Sequence, residues 1–369
     1  MMSLSTTVAI FSLLLVVGAA AGTDRYRGGM HVKCTRLPTD LMGPFVRLGD
    51  GSVLAADASE VHVSRDDGKT WESRPLFKDP TKFECRRERA VLRTRDGVVL
   101  IAFMNQKELH SHRRPDTETT AGNAYPDHRL PVYVVRSTND GKTWLKPRPV
   151  QNEGWCGAVR DMIQTSTGRI ILPSQVGWND PLRHIALSYA SDDNGKTWTR
   201  SNYIDLGGAG HHAGAIEPTV EELRDGRIYM LIRTCYDRFW EAISDDGGLH
   251  WRTIRPSAID ASGSPGLLKR LASGRLCLVW NRLYPKGKKS TKRRSGAGEE
   301  VPTSYHRNEL SIAFSDDDGK TWSQPVVFAK GGYNTYPYVY EHQPGLLWIT
   351  TFVADGLRVS LREEDFLRK

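Results

Sequence analysis

Hydrophobic positions along the chain fall into one arrangement that recurs six times: a short segment of strand character, a turn containing glycine, and a run rich in Val, Ile and Leu. The copies occupy 44–56 (PFVRLGDGSVLAA), 87–103 (RERAVLRTRDGVVLIAF), 157–173 (GAVRDMIQTSTGRIILP), 217–233 (EPTVEELRDGRIYMLIR), 264–280 (SPGLLKRLASGRLCLVW) and 336–351 (YPYVYEHQPGLLWITT). Each predicts a β-hairpin. Downstream of five of these hairpins comes a second repeat: 64–71 (SRDDGKTW), 137–144 (STNDGKTW), 191–198 (SDDNGKTW), 244–251 (SDDGGLHW) and 315–322 (SDDDGKTW). Their starts are separated by 73, 54, 53 and 71 residues, the regularity of an array of like structural units.

The pattern S-x-D-x-G-x-T-W makes sense as a turn between strands. Its third-position carboxylate accepts backbone N–H bonds inside the turn, the glycine supplies positive φ, and the tryptophan offers a large apolar surface to a neighbouring unit. Asn139 replaces the aspartate once, and an amide oxygen still accepts. These boxes resemble the Asp-box, or BNR repeat, of the sialidase superfamily and other β-propellers. Six hairpins and five boxes imply an all-β fold, a six-bladed β-propeller, over 23–369. The sixth blade ends without a box at 357–361, and strand material from Met30 onward is expected to help close the ring, because an open propeller leaves unpaired edge strands.

Composition changes this picture little. The first 22 residues read as a secretory signal peptide, with an apolar run at 8–17 (VAIFSLLLVV) followed by small residues at 18–22 (GAAAG), so a secreted or periplasmic location is expected. The apolar run is short for a bilayer span, and no membrane span is expected. Cys34, Cys85, Cys156, Cys235 and Cys277 lack the close pairs of a zinc or redox motif, and most read as small buried hydrophobes. No metal or other cofactor is expected. A net charge of +8 favours an anionic ligand. The basic run in 282–305 (Lys286, Lys288, Lys289, Lys292, Arg293, Arg294) has no interleaved aromatics to stack bases, which argues against nucleic acid. A second long loop, 105–130, carries His110, His112, Arg113, Arg114, Asp116 and Asp127. Loops of that length are usually functional or mobile.

The fourth hairpin is the richest chemically. Glu217 and Arg233 lie equally far either side of Asp225, which places them opposite one another on paired strands. Glu217 stands nine residues before Gly226, and Tyr336 stands nine before Gly345, so the two hold corresponding places in blades four and six. Inner strands of a propeller converge on its axis, where a carboxylate beside a phenol lowers the barrier to removing the phenolic proton.

At these residues the chain resembles the exo-sialidase superfamily, in which a Glu-Pro strand is followed sixteen residues later by an arginine, an arginine strand leads into an Asp-box, and a tyrosine comes late. Glu217-Pro218 with Arg233, Arg307 in 307–322 (RNELSIAFSDDDGKTW), and Tyr336 match those motifs. The segment 168–173 (GRIILP) also resembles that family's third blade. The resemblance implies a retaining glycoside hydrolase for a terminal acidic sugar, with Tyr336 as nucleophile, Glu217 as its activator, and arginines clamping the substrate carboxylate. A neutral nucleophile suits a substrate that carries a carboxylate beside its anomeric carbon.

Two motifs of the family have no counterpart. Leu41-Met42-Gly43-Pro44 stands where the first arginine belongs, and blade one runs almost directly from Leu54 to its box, without the loop that carries the general-acid aspartate. Arg87 is a candidate replacement for the arginine. Arg87, Glu88 and Arg89 alternatively form structural salt bridges. Arg160 and Asp161 form a local ion pair, or Asp161 is a displaced acid and Arg160 a substrate contact. His211 and His212, in a glycine-rich loop, are candidate sugar contacts or plain surface. The alternatives to a sialidase-like exo-glycosidase are a carbohydrate-binding propeller without catalysis and a propeller glycosidase for another sugar, such as a rhamnose or a uronic acid.

Overall fold

A computed structural model describes residues 26, 28–110, 129–152, 154–179, 181–209, 213–283, 292–294, 300–302, 306–351 and 356–367. Residues 1–22, read in the sequence as a signal peptide, the centre of the loop at 105–130, His211, His212 and most of the basic loop lie outside the described residues. Six antiparallel sheets form the blades of a propeller. Their innermost strands are Phe45–Arg47, Cys85–Arg93, Ile163–Gln164, Ile216–Glu222, Leu267–Arg270 and Pro337–Gln343, each the first half of a hairpin read from the sequence. A separate two-stranded ribbon pairs Lys292–Arg294 with Glu300–Pro302.

The start of the chain closes the ring. Thr35–Arg36 pairs with Arg358–Arg362 to supply the outermost strand of blade six, and Gly29–Met30 adds a fifth strand to blade five. Apolar side chains on the blade faces gather into six clusters, each shared by two neighbouring blades. Box tryptophans enter five of them, Trp144 and Trp251 fully buried and Trp71, Trp198 and Trp322 partly so. The cluster between blades five and six has Phe366 instead.

The boxes repeat their bonds as well as their letters. In the first, the Ser64 hydroxyl accepts from the Gly68 amide at 2.8 Å, while Asp66 accepts from the Thr70 amide at 2.9 Å and its hydroxyl at 2.7 Å. The chain turns through two successive left-handed residues, Asp67 (φ 56°) and Gly68 (φ 84°), which a short polar side chain and a glycine tolerate best.

Each box also ties its blade to the inner turn of the preceding one. Asp67 meets His342 (3.0 Å), Asp140 accepts from the Gly49 amide (2.6 Å), and Asn194 donates to Asp96 (2.9 Å). The Asp246 carbonyl accepts from Arg169 (3.0 Å), and Asp318 from the Arg224 amide (2.9 Å). Blade six, lacking a box, makes the equivalent tie through Glu363, which accepts from the Ser273 hydroxyl of blade five at 2.7 Å.

The five cysteines are free thiols; Cys85, Cys156 and Cys277 are buried and Cys34 and Cys235 half-buried. Among the described residues no helix is long and apolar enough to cross a membrane.

Candidate active site

The end of the propeller away from the boxes is where the innermost strands begin, and four blades bring polar and charged side chains together there. Blade four supplies Glu217 and Arg233. The hairpin register pairs Glu222 with Ile228 and continues in step to Thr219 with Leu231, then slips, so that Ile216 rather than Glu217 faces Arg233. Counting from the turn therefore misplaces Glu217 by one residue. The cause is a bulge at Glu217 and Pro218, where proline has no N–H to give the ladder. The bulge aims the carboxylate at its expected partner all the same: Arg233 Nη1 donates to Glu217 Oε2 at 2.5 Å, with both side chains buried.

Tyr336 sits immediately before the inner strand of blade six. Its hydroxyl donates to Glu217 Oε1 at 2.7 Å, and Arg233 Nη1 lies 3.4 Å from the same phenol oxygen. The correspondence of offsets in blades four and six thus places a tyrosine and a glutamate in direct contact. Both hold left-handed backbone, φ 47° at Glu217 and 58° at Tyr336. Among the described residues the other five non-glycine residues with positive φ are aspartates or an asparagine, Asp67, Asp140, Asn194, Asp237 and Asp318. Glutamate and tyrosine lack the short polar side chain that makes this conformation cheap, so the strain gathers at the pair.

Arg307, buried at the start of the third strand of blade five, lies 5.6 Å from the Tyr336 ring centre. Its guanidinium donates to Tyr333 Oη at 2.8 Å and to the Gly263 carbonyl at 2.7 Å. Arg160 arrives from blade three beneath the tyrosine, 5.2 Å from the Tyr336 ring centre and 5.8 Å from that of Tyr338. Its nitrogens donate to the carbonyls of Pro337 and Gly266. Tyr338 crosses from blade six to blade two, its hydroxyl 2.8 Å from the Arg87 carbonyl and accepting from the Arg89 amide at 3.0 Å.

Electrostatics at the pair follow from this packing. Burial pushes the Glu217 carboxyl up, but the Arg233 and Arg160 charges outweigh it and leave the pKa below the usual carboxylate value. Burial pushes the Tyr336 phenol well up and the Glu217 charge pushes it further, with Arg233 and Arg307 offsetting part of the rise. At neutral pH the pair is therefore a neutral phenol hydrogen-bonded to an ionised carboxylate.

Of the other residues singled out in the sequence, Asp161 is turned away from the pair and makes no ion pair with Arg160. Its carboxylate accepts from Thr219 Oγ1 (2.7 Å), the Val220 amide (2.9 Å) and the Met162 amide (2.9 Å), tying blade three to blade four below the site; burial raises its pKa. Arg87 is exposed at the start of the inner strand of blade two. It is Arg89 that enters the region vacated by the missing blade-one arginine: fully buried, it donates to the carbonyls of Gly43 (3.2 Å) and Ala56 (2.9 Å) and to Asp57 (3.0 Å). Those bonds make it a structural strut. His211 and His212 lie outside the described residues.

Three contacts had no sequence motif to announce them. Gln175 accepts from the Glu217 amide through its side-chain oxygen, Tyr333 orients Arg307, and Tyr338 spans the axis. Gln175 belongs to a ten-residue strand, Ile170–Asn179, whose extension past the predicted hairpin end at 173 carries it to the site. Among the described residues no three His, Cys, Asp or Glu side chains gather as a metal site.

Fold and site together define a β-propeller that gathers a phenol–carboxylate pair among arginines at the end away from the boxes. The chain belongs to the BNR repeat-like domain family, whose model matches residues 123–349. A sialidase of Micromonospora viridifaciens is 24% identical over 318 residues, a match that covers 77% of this chain and 44% of that protein. In structure the chain is similar to a Hadza microbial sialidase (TM-score 0.62, 16% identity, 88% of this chain and 66% of that one). It is also similar to a protein of unknown function from Dyadobacter fermentans (TM-score 0.60, 18% identity, 90% of this chain and 98% of that one). Structural likeness at these identities establishes the propeller.

Proposed function

We propose that this protein is a retaining exo-glycosidase that removes a terminal acidic sugar, with Tyr336 as nucleophile and Glu217 as the base that activates it. The observation that carries the reading is the 2.7 Å hydrogen bond from the Tyr336 phenol to Glu217, made by two residues in left-handed backbone and flanked by Arg233 and Arg307. A phenol of raised pKa is a poor nucleophile by itself. Beside an ionised carboxylate it gives up its proton as it attacks, so no anion has to form in advance.

Arg233 and Arg307 bring positive charge to the Tyr336–Glu217 pair, and a substrate carboxylate placed between them gains charge-assisted hydrogen bonds. The sialidase relatives support an acidic sugar of that kind. The apolar leader at 1–22 supports action outside the cytoplasm.

The test is a panel of aryl glycosides of acidic and neutral sugars. Turnover of the acidic ones, with the anomeric configuration of the first-formed product retained by proton NMR, is the expected result. Inversion, or binding of acidic sugars with no cleavage of any, overturns it; the second outcome leaves a carbohydrate-binding propeller.

A further inference from the structure

Arg160 makes contacts that the proposed chemistry has not used. It is 4% exposed, and two nitrogens of its guanidinium are bound to backbone carbonyls of blades five and six. A cation so enclosed cannot turn to meet a sugar. Its sequence neighbour Asp161 does not neutralise it, being committed to Thr219, Val220 and Met162. Burying a cation without a directly bonded counter-ion is expensive, so its placement calls for a compensating interaction.

Two features of the surroundings supply one. The carbonyl that receives Arg160 Nη2 is that of Pro337, the residue after Tyr336, and the guanidinium lies under the tyrosine ring at cation–π distance. Arg160 therefore grips the carbonyl of the residue after the left-handed one and the face of the tyrosine side chain at once. The nearby anion is Glu217, whose ionised form Arg160 favours next after Arg233.

We propose, building on the exo-glycosidase reading, that Arg160 is a positioning residue of this site, which holds Tyr336 in its strained turn and sets a fixed positive charge beside the Tyr336–Glu217 pair without touching the sugar. It stands in a blade other than the one whose arginine is missing and performs a different task. Among the described residues a small set of groups faces Glu217. They are Arg233 from its own blade, Arg160 from blade three and Tyr336 from blade six, with the neutral Gln175 on its amide and Arg307 beyond the tyrosine. Removing Arg160 leaves Arg233 as the directly bonded cation on the carboxylate.

The experiment compares wild type, Arg160→Met, Arg160→Lys and Arg307→Ala. For Arg160→Met, kcat on an acidic aryl glycoside should fall by roughly tenfold or more while KM changes little, as for a group that orients rather than binds. The acid limb of its kcat/KM profile should move to higher pH, because a carboxylate that loses a nearby cation is protonated more easily. Arg160→Lys, which keeps the charge, should move the limb back toward wild type. Arg307→Ala should raise KM instead.

A readout independent of turnover is the carbon-13 NMR titration of the Glu217 carboxyl in side-chain-labelled protein, assigned with Glu217→Gln, where the same upward shift is expected in Arg160→Met. If kcat falls together with the melting midpoint while the titration stays in place, Arg160 is a structural tie only and the proposal is wrong. If wild type cleaves nothing, the exo-glycosidase reading fails by itself, and the NMR titration still decides whether Arg160 governs the charge of Glu217. Should Arg160→Met not fold, Arg160→Lys carries the test: a KM rise like that of Arg307→Ala, with kcat and acid limb unchanged, would make Arg160 a substrate contact and overturn the proposal.

Discussion

The two ends of the propeller are built by opposite rules. At the box end, five near-copies of one turn make nearly the same hydrogen bonds, each tying its blade to the one before, and the left-handed positions are filled by Asp, Asn or Gly. At the other end no common unit repeats: a glutamate and an arginine come from blade four, a tyrosine from blade six, and single arginines from blades three and five. There two of the left-handed positions fall on glutamate and tyrosine, each a strain of about 1–3 kcal/mol. Such strain persists only where the surroundings over-determine it. The repeated ties at one end make the ring rigid enough to impose an unfavourable backbone at the other.

The contrast breaks most visibly at Tyr336. Tyr336→Phe removes one oxygen and leaves the ring that packs against Arg160 and Arg307, so turnover of an acidic aryl glycoside should drop by at least about a thousandfold while the melting midpoint changes little. Glu217→Gln should cost less, on the order of a hundredfold, because the phenol remains and loses only its base. Steady-state rates alongside thermal melts check both, and full activity in Tyr336→Phe would move the nucleophile elsewhere.

At the box end the opposite separation should hold. Trp251 is 2% exposed and donates through its indole nitrogen to Ser188 Oγ at 3.0 Å, joining blades three and four. Trp251→Ala should destabilise the fold by about 3–5 kcal/mol through the cavity it leaves, with kcat per folded molecule unchanged. Trp322, the corresponding residue of the last box, is only partly buried, and its replacement should cost clearly less. Urea unfolding of the two variants side by side measures the difference; equal losses would mean that depth of burial does not set what a box contributes.

A milder effect at the site end belongs to Arg307. Arg307→Ala should weaken binding of an acidic sugar by about 2–5 kcal/mol if its guanidinium meets the substrate carboxylate within the desolvated funnel, and should leave binding of a neutral analogue nearly alone. Isothermal titration against the two ligands separates these outcomes. A loss equal for both would place Arg307 outside the carboxylate clamp.

What the sequence could show divides along the same line. The boxes and hairpins are legible because they repeat, and the count of six blades follows from spacing alone. The meeting of Glu217 and Tyr336 is legible because equal distances from turn glycines mean equal heights in different blades. Register is where the inference thins. The bulge at Glu217 and Pro218 shifts the pairing by one, and only the proline signals it. A second slip, of two residues, between Cys85 and Arg89 falls across Arg87, and Arg89 rather than Arg87 fills the region of the missing arginine. Arg160 and Asp161 stood together in sequence and read as an ion pair, yet they bond to different blades. Contacts across the axis, such as that of Tyr338, depend on ring closure, which no local pattern encodes.

The smallest expected effect tests whether the box carboxylate is needed as a charge. Natural variation within the chain has already exchanged it once: Asn139 accepts from the Thr143 amide at 2.9 Å and donates its own amide to the Thr143 hydroxyl at 2.8 Å, where Asp66 instead receives the Thr70 hydroxyl. The threonine hydroxyl rotates to suit either partner. Asp66→Asn should therefore fold normally and lose only the margin between a charge-assisted and a neutral hydrogen bond, about 0.5–1 kcal/mol at pH 7. That margin is pH-dependent with a definite sign. The hydrogen bonds from the Thr70 amide and hydroxyl hold the Asp66 pKa at about 2, below its unfolded value. Its contribution is thus fully present above about pH 4 and is lost as the pH falls through about 2. Wild type and Asp66→Asn should differ slightly in urea midpoint at pH 7 and converge near pH 2. A difference that persists in acid would show that the box needs the shape of the aspartate rather than its charge.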